Sequence, residues 1–255
     1  MKQRHTRILI GAGSFPDAVA ALEIARRLSR HMRSQLGGLL IEEGNVTTVC
    51  QLPNQRVISA SGAFIMAPSG AQVRTLNRAD ARAFRQMLAD VAKEPSMHWT
   101  FEQQSGDLIE CSINVGRTWD MLILGHREIH PVPGKVVFLG TTSAQADAAL
   151  ELATTLADNL GTGLLVFSIG HSPIRGLHGH LKEFPDLDAV LSRLARTNVQ
   201  AVVIDLKRGP VRTKNQLREV VRLARCPVVV LGASSIDPAL EHSTQIPPVQ
   251  DRAER

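Results

Sequence analysis

Two stretches of the chain carry residues whose types and spacing could hold a ligand. Residues 11–16 read Gly-Ala-Gly-Ser-Phe-Pro, after an apolar run and before a helical pattern. Gly11 and Gly13 would let the backbone approach a phosphate closely, and Ser14 would add a hydroxyl. Glu42 and Glu43 follow the next apolar run, where an acidic residue would hold a ribose hydroxyl. Pro16, however, takes the place of the third glycine of the dinucleotide-binding pattern G-x-G-x-x-G, and a tight strand-to-helix turn explains the same glycines without a ligand. The second stretch is a loop and first helical turn carrying Lys207, Arg208, Arg212 and Lys214. Four cations at a helix N-terminus would hold an anion without any glycine. Arg218, Arg222 and Arg225 continue along the same helix, so a solvated basic face is the competing explanation.

Catalytic and metal signals are weaker. Ser14 and Ser143 follow apolar runs, but neither sits in a G-x-S-x-G elbow, and no Ser–His–acid group can be assembled around them. His171, His178 and His180 lie in a glycine-containing loop without the remaining ligands a zinc site needs. His126 and His130 stand between two halves of the chain, and His126 follows an apolar run closely enough to face a ligand. Cys50, Cys111 and Cys226 are far apart and lack metal spacing, which suits thiols of a reducing cytoplasm, with Cys111 on an apolar helical face. No catalytic residue, metal or cofactor is therefore expected.

Composition sets the outer bounds. A chain of 255 residues with 44% hydrophobic content can bury one large core or two small ones. Charged residues make up 21%, and no apolar stretch is long enough to span a bilayer. The basic start, MKQRHTRILIGAG, breaks into glycines too early for a signal peptide, so a cytoplasmic protein is expected. A net charge of +5 and a pI of about 9.6 would suit a polyanion. Yet the 29 lysines and arginines are spread along the chain, tyrosine is absent, and only 4% of residues are aromatic. Without stacking platforms, nucleic acid is not an expected partner, and neither is a membrane.

The elements that must position these residues are written twice. AALEIARRL at 20–28 returns as AALELATTL at 148–156, each after a short apolar run (RILIGAGS, 7–14; KVVFLGTTS, 135–143). Ala20, Ile24, Leu28 and Met32 repeat at a four-residue step, as do Ala148, Leu152, Leu156 and Leu160. A helix from Asp17 to about Ser34 then leads to a strand at Leu39–Ile41, and GLLVFSIG at 163–170 matches it in the second copy. Strand, helix, strand at this spacing is the crossover unit of a parallel sheet. Further on, 107–125 and 186–205 both begin Asp-Leu and share an Arg-Thr pair before an apolar strand. Asp107 and Asp186 suit helix N-caps there. The first copy has a longer middle: a turn-rich piece at 44–74, a helix over Arg78–Ala92 and a strand within 97–106. Only the second copy continues into a helix at 212–225 and a fifth strand at Val228–Leu231.

This ordered set of pieces, closing in ARCPVVVLG, resembles the universal stress protein family in a tandem form. The insert TTVCQLPNQRVISASGA also resembles one found in some two-repeat members. The resemblance implies an α/β fold: open, mostly parallel sheets with helices on both faces, in two unequal repeats. Repeat one would occupy 1–130, repeat two 131–233, and 234–255 would be a disordered tail. In nucleotide-binding members an Asp after strand one receives adenine, and a loop G-x-x-G…G-[S/T] after strand four wraps phosphates. Here Gly11-Ala12-Gly13-Ser14 and Gly140-Thr141-Thr142-Ser143 offer no such acid. Gly125-His126-Arg127 leads to Glu128 in place of the second glycine, and Lys207-Arg208-Gly209 reaches Glu219 without a Gly-Ser.

The expectation is thus a cytoplasmic regulatory or binding protein of the universal stress type, not an enzyme, lacking the ATP loop. The first alternative is a binder of ATP, another adenine nucleotide or a different phosphate ligand. It would use Gly11, Gly13, Ser14, Gly125, His126, Arg127, Gly140, Thr141, Thr142, Lys207, Arg208, Arg212 and Lys214. The second alternative is an enzyme with a dinucleotide at GAGSFP. The resemblance also implies pairing through the fifth strand, hence a homodimer through the edge of Val228–Leu231, with a protein partner as a further expectation.

Overall fold

The structure, a computed structural model, describes residues 6–29, 34–43, 56–58, 64–66, 69–92, 97–127, 132–141, 148–170 and 180–236. Cys50, Glu128, His130, Thr142, Ser143, His171, His178 and the tail from 237 lie outside the described residues. The chain is α/β. Among the described residues nine strands form one sheet in the order β5-β2-β1-β6-β11-β10-β7-β8-β9, every neighbouring pair parallel except β6 with β11. The strands are β1 (Thr6–Ala12), β2 (Ser34–Glu42), β5 (Trp99–Ser105), β6 (Met121–Leu124), β7 (Lys135–Thr141), β8 (Leu164–Ile169), β9 (His180–Phe184), β10 (Val199–Asp205) and β11 (Val228–Leu231). A separate two-stranded ribbon, β3 (Arg56–Ile58) with β4 (Phe64–Met66), lies within the insert.

Alternation along the strands sends side chains to two cores. Ile8 and Ile10 face one layer and Leu9 the other; Val137 and Leu139 face away from Val136 and Phe138. Helices α1 (Phe15–Ser29), α2 (Gly70–Val91) and α4 (Ala148–Leu160) cover the first face. Helices α3 (Leu108–Gly116), α5 (Leu187–Leu194) and α6 (Lys214–Ala224) cover the second. The aspartates expected as caps are caps. Asp107 accepts from the Glu110 amide at 2.9 Å and Asp186 from the Ala189 amide at 2.8 Å, so α3 and α5 start alike.

Four expectations change. The second strand begins at Ser34, not Leu39, and α1 ends at Ser29. Gly37 and Gly38, left outside the expected strand, are interior strand positions. A Cβ on Gly37 would stand 2.4 Å from the Trp119 ring, and one on Gly38 3.0–3.3 Å from Leu88, Phe101 and Phe84. The glycines make room for large side chains on both faces. The insert's helix starts at Gly70, because Ser69 and Gln72 form a capping box, a signal present in the sequence as Ser-x-x-Gln. On α4 the buried stripe is Ala149, Ala153, Leu156 and Ala157, with Leu152 and Leu160 only half-buried. The small residues let α4 lie close to α1, whose Arg27 guanidinium donates to the Asn159 carbonyl at 2.6 Å.

The fourth concerns β11. Expected at a free edge, it lies in the middle of the sheet, between β10 and β6. It pairs with β6 in the antiparallel sense, Val228 opposite Leu124 and Leu231 opposite Met121. The edge on which pairing with a second copy was expected is therefore already used within the chain. The outer strands are β5 and β9. β9 escaped the sequence reading because HLKEF is half-exposed and mixes charge with apolar residues, as edge strands do.

Across the second face, α3 and α6 are fastened by ion pairs. Lys214 Nζ lies 2.6 Å from Glu110 Oε2, and Arg218 donates to Asp107 Oδ1 at 3.0 Å. Burial pushes the Asp107 carboxyl up. The Glu110 amide and the Arg218 guanidinium outweigh that and hold it below the usual carboxylate range. A lowered folded value means that this contribution to stability is complete above the unfolded value of about 4 and disappears as pH falls through the folded one. With 43% of the side chain exposed, it amounts to less than about 1 kcal/mol. An Asp107→Asn variant, which keeps a capping side chain, should be slightly less stable than wild type near about pH 7 and converge with it at lower pH. Denaturant midpoints measured against pH check this; a constant gap in acid would refute it.

Candidate functional site

In an open parallel sheet, ligands settle at the carboxyl ends of strands where the order of connection reverses. In the first half that point lies between β1 and β6, whose following loops run side by side. A crevice of about 490 Å³ opens there. Its polar wall is Ser14, Asp17, Glu42, Glu43, Asn77 and Asp80, with Gly13, Gly125 and His126 beside it. Val73, Leu76, Leu108 and Val221 supply the apolar wall. The glycine stretch and the acidic pair after β2 thus do come together, as the residue spacing suggested.

The local hydrogen bonding decides what this crevice can hold. The Ser14 hydroxyl donates to Asp17 Oδ2 at 2.5 Å, and the Asp17 amide donates back to Ser14 Oγ at 3.3 Å. The Arg127 amide donates to Asp17 Oδ1 at 3.1 Å. From α2, Asp80 reaches across to accept the Phe15 amide at 3.0 Å. The Phe15 amide at this helix start and the Arg127 amide of the neighbouring loop are therefore engaged by two carboxylates of the protein itself. Gly125 is needed for the closure. Its amide donates to the Gly11 carbonyl at 2.7 Å, and a Cβ would stand 2.6 Å from the Asp17 carbonyl oxygen. Gly11 serves packing as well, since a Cβ there would meet Ser112 of α3 at 2.3 Å. Nδ1 of His126 lies 2.9 Å from the carbonyl oxygen of Arg127.

The second half places its candidates at the opposite end of the strands. Gly125 follows Leu124, opposite Val228 at the start of β11, while Gly232 follows Leu231, opposite Met121 at the start of β6. A single ligand cannot use Gly11–Ser14, Gly125–Arg127 and Lys207–Arg208 together, which corrects the combined site drawn from the sequence. Nor do the four cations converge. Lys214 is buried against Glu110, and the Arg212 guanidinium donates to the carbonyls of Leu206 and Lys207. Asp205 folds the loop on itself, accepting the Lys207 amide at 2.7 Å and the Arg208 amide at 3.4 Å. Thr141 Oγ1 donates to the Arg208 carbonyl at 3.1 Å, and Gly140 precedes it on β7. Lys207, Arg208 and Arg212 are exposed.

Sequence reasoning missed Asp17 and Asp80, the two carboxylates that close the first site. Asp17 had a legible signal, sitting three residues after Ser14 in the first helical turn; Asp80 had none, because it comes from the insert's helix. Among the described residues, no group of His, Cys, Asp and Glu is placed to hold a metal ion. Cys111 is half-buried, and burial, then the charges of Asp107 and Glu110, push its thiol up, away from the reactive thiolate. Among the same residues, no helix is long and apolar enough to cross a membrane.

Comparison with known proteins gives a fold likeness and no family. No family model matches the chain, and no curated protein matches it. Among solved structures, a universal stress protein from Archaeoglobus fulgidus DSM 4304 aligns with a TM-score of 0.48 at 12% identity, covering 88% of this chain and 95% of that one. A protein described as a universal stress protein from Pseudomonas aeruginosa UCBPP-PA14 aligns at 0.44 and 14% identity, over 90% and 94%. The cytoplasmic domain of a prokaryotic cation chloride cotransporter aligns at 0.38 and 11% identity, over 91% and 97%. Scores this low carry no argument, and the fold class rests on the sheet itself.

Proposed function

We propose that the chain is a binding protein of the universal stress type, built from two unequal repeats and not an enzyme. Its ligand crevice is that of the first half, and its phosphate-loop positions are given over to internal structure. Support for the duplication comes from strand order. The first, second, third and fourth strands of each half stand in the same arrangement, and the fourth-strand helices start on equivalent aspartates. The observation that carries the binding reading is the state of the loop amides. Arg127 is held by Asp17, and Lys207 and Arg208 by Asp205, so neither half offers those amides to a phosphate. Four carboxylates around the crevice favour a ligand bringing hydrogen-bond donors or positive charge over one bringing phosphate.

One observation favours a second reading. Glu42 and Glu43 share the crevice with Gly13 and Ser14, the relation a dinucleotide site requires. Both readings are tested by thermal shift of the purified protein with ATP, AMP, NAD, cyclic nucleotides and inorganic phosphate. A ligand at about a hundredfold over its dissociation constant adds about 2.7 kcal/mol, which raises the melting temperature of a chain this size by roughly 5–10 °C. The expected result is a change below about 1 °C throughout the panel. A full shift with NAD alone would establish the dinucleotide reading. A shift with ATP but not phosphate would overturn the proposal and make the crevice a nucleotide site.

A further inference from the structure

Helix α2 carries a charge pattern that the fold uses only through Arg85, which lies over the Phe101 ring, and the crevice not at all. Arg74, Arg78, Arg82 and Arg85 are all exposed. At i, i+4, i+8 and i+11 they fall on one narrow stripe about 16 Å long. The acids of α2 stand elsewhere: Asp80 turns to the Phe15 amide, and Asp90 pairs with Gln86. Among the described residues no carboxylate forms an ion pair with any of the four. This contrasts with α1, where Glu23 pairs with both Arg26 and Arg27, and with α6, where Glu219 pairs with Arg222. Like charges at this spacing disfavour a helix by about 0.2–0.5 kcal/mol per pair, so the stripe is a local cost that folding does not explain.

From this stripe we infer a docking surface for the phosphate backbone of a nucleic-acid duplex, bound without regard to sequence. The arginines present planar guanidinium forks suited to phosphate oxygens, on a convex helix. The helix does not fit a lipid surface, because its apolar side is consumed: Val73, Ala81, Phe84 and Leu88 are buried in the protein. It lacks what a protein interface needs at its centre. Among the described residues the large exposed hydrophobics are Val19, Leu76 and Val132, and Leu76, the one on α2, turns to the crevice. Single strands are disfavoured too, since the nearby rings are not free to stack: Phe84 is buried, Trp99 and Phe101 are packed on the core, and Arg85 lies 5.9 Å over Phe101. Four of the chain's cations are here aligned by one helix, and this reading runs against the expectation that nucleic acid is not a partner.

Fluorescence anisotropy of the full chain with a labelled DNA duplex of about 20 base pairs, titrated over a range of salt, tests this. Wild type should bind with a log–log salt slope of about −3 to −4, one counterion for each arginine engaged. An Arg74→Gln/Arg78→Gln/Arg82→Gln variant should lose more than tenfold in affinity, with the slope reduced by about 3. The matching Arg→Lys triple should retain most of the binding, and an Arg193→Gln/Arg196→Gln variant, at the end of α5 and in the turn after it, should behave as wild type. The inference is overturned by absence of salt-dependent duplex binding, by equal losses in the α2 and α5 variants, or by preference for polyglutamate or phosphatidylserine vesicles over the duplex.

Discussion

A Gly37→Val substitution is expected to lower the melting temperature by about 6–12 °C. Even a Cβ at this position would overlap the Trp119 ring at 2.4 and 2.7 Å and crowd Leu9 at 3.0 Å. Trp119 follows α3 in a turn held by hydrogen bonds, its amide donating to the Gly116 carbonyl and that of Asp120 to Arg7. The ring therefore cannot yield without moving the start of β6. Overpacking of this kind costs about 3 kcal/mol, and for a chain of this length each kcal/mol is worth about 2–4 °C. Calorimetry measures it directly. A melting temperature within about 2 °C of wild type would show that Trp119 is not seated over β2 as described.

The second large effect is expected at the fastening between α3 and α6. The Lys214 side chain is only 7% exposed, whereas its partner Glu110 is 40% exposed. Removing the carboxylate as Glu110→Ala leaves an ammonium group in a confined site with less compensation, a change that costs several kcal/mol when both partners are buried. Given the exposure of Glu110, a loss of about 1–3 kcal/mol is expected. Replacing both partners, as Glu110→Ala with Lys214→Met, removes the charge together with its counter-charge and should return stability to within about 1 kcal/mol of wild type. Urea unfolding of the two variants separates the cases. If the double variant were as unstable as the single one, the lysine stem would matter for packing and the ion pair would not.

The second of these effects also bears on the crevice. Leu108 and Val221, on the helices joined by these pairs, form part of its apolar wall. A variant that loosens α3 from α6 should therefore also change the crevice, so ligand panels are best read on variants whose melting temperature is preserved.

What the sequence determined by itself is the local part of the fold. Apolar periodicity placed β1, α1, β7 and α4, because strand and helix periods are set within a few residues. Asp107 and Asp186 announced their helices, because a cap acts on an amide three positions away. Val228–Leu231 was placed to the residue, since a short β-branched run between a helix and a glycine has few other uses. Tertiary structure alone decided the rest. The roles of Gly37 and Gly38 depend on Trp119, Phe84 and Phe101, far off in sequence. The seat of β11 depends on β6, far off in sequence, which it joins in the antiparallel sense. The ligand residues followed the same division. Spacing brought Gly13, Ser14 and the two glutamates to one crevice, but the amides there were claimed by Asp17 and by Asp80 from another helix. Pattern is legible within a turn or a strand; which buried group answers which is settled only when distant segments pack.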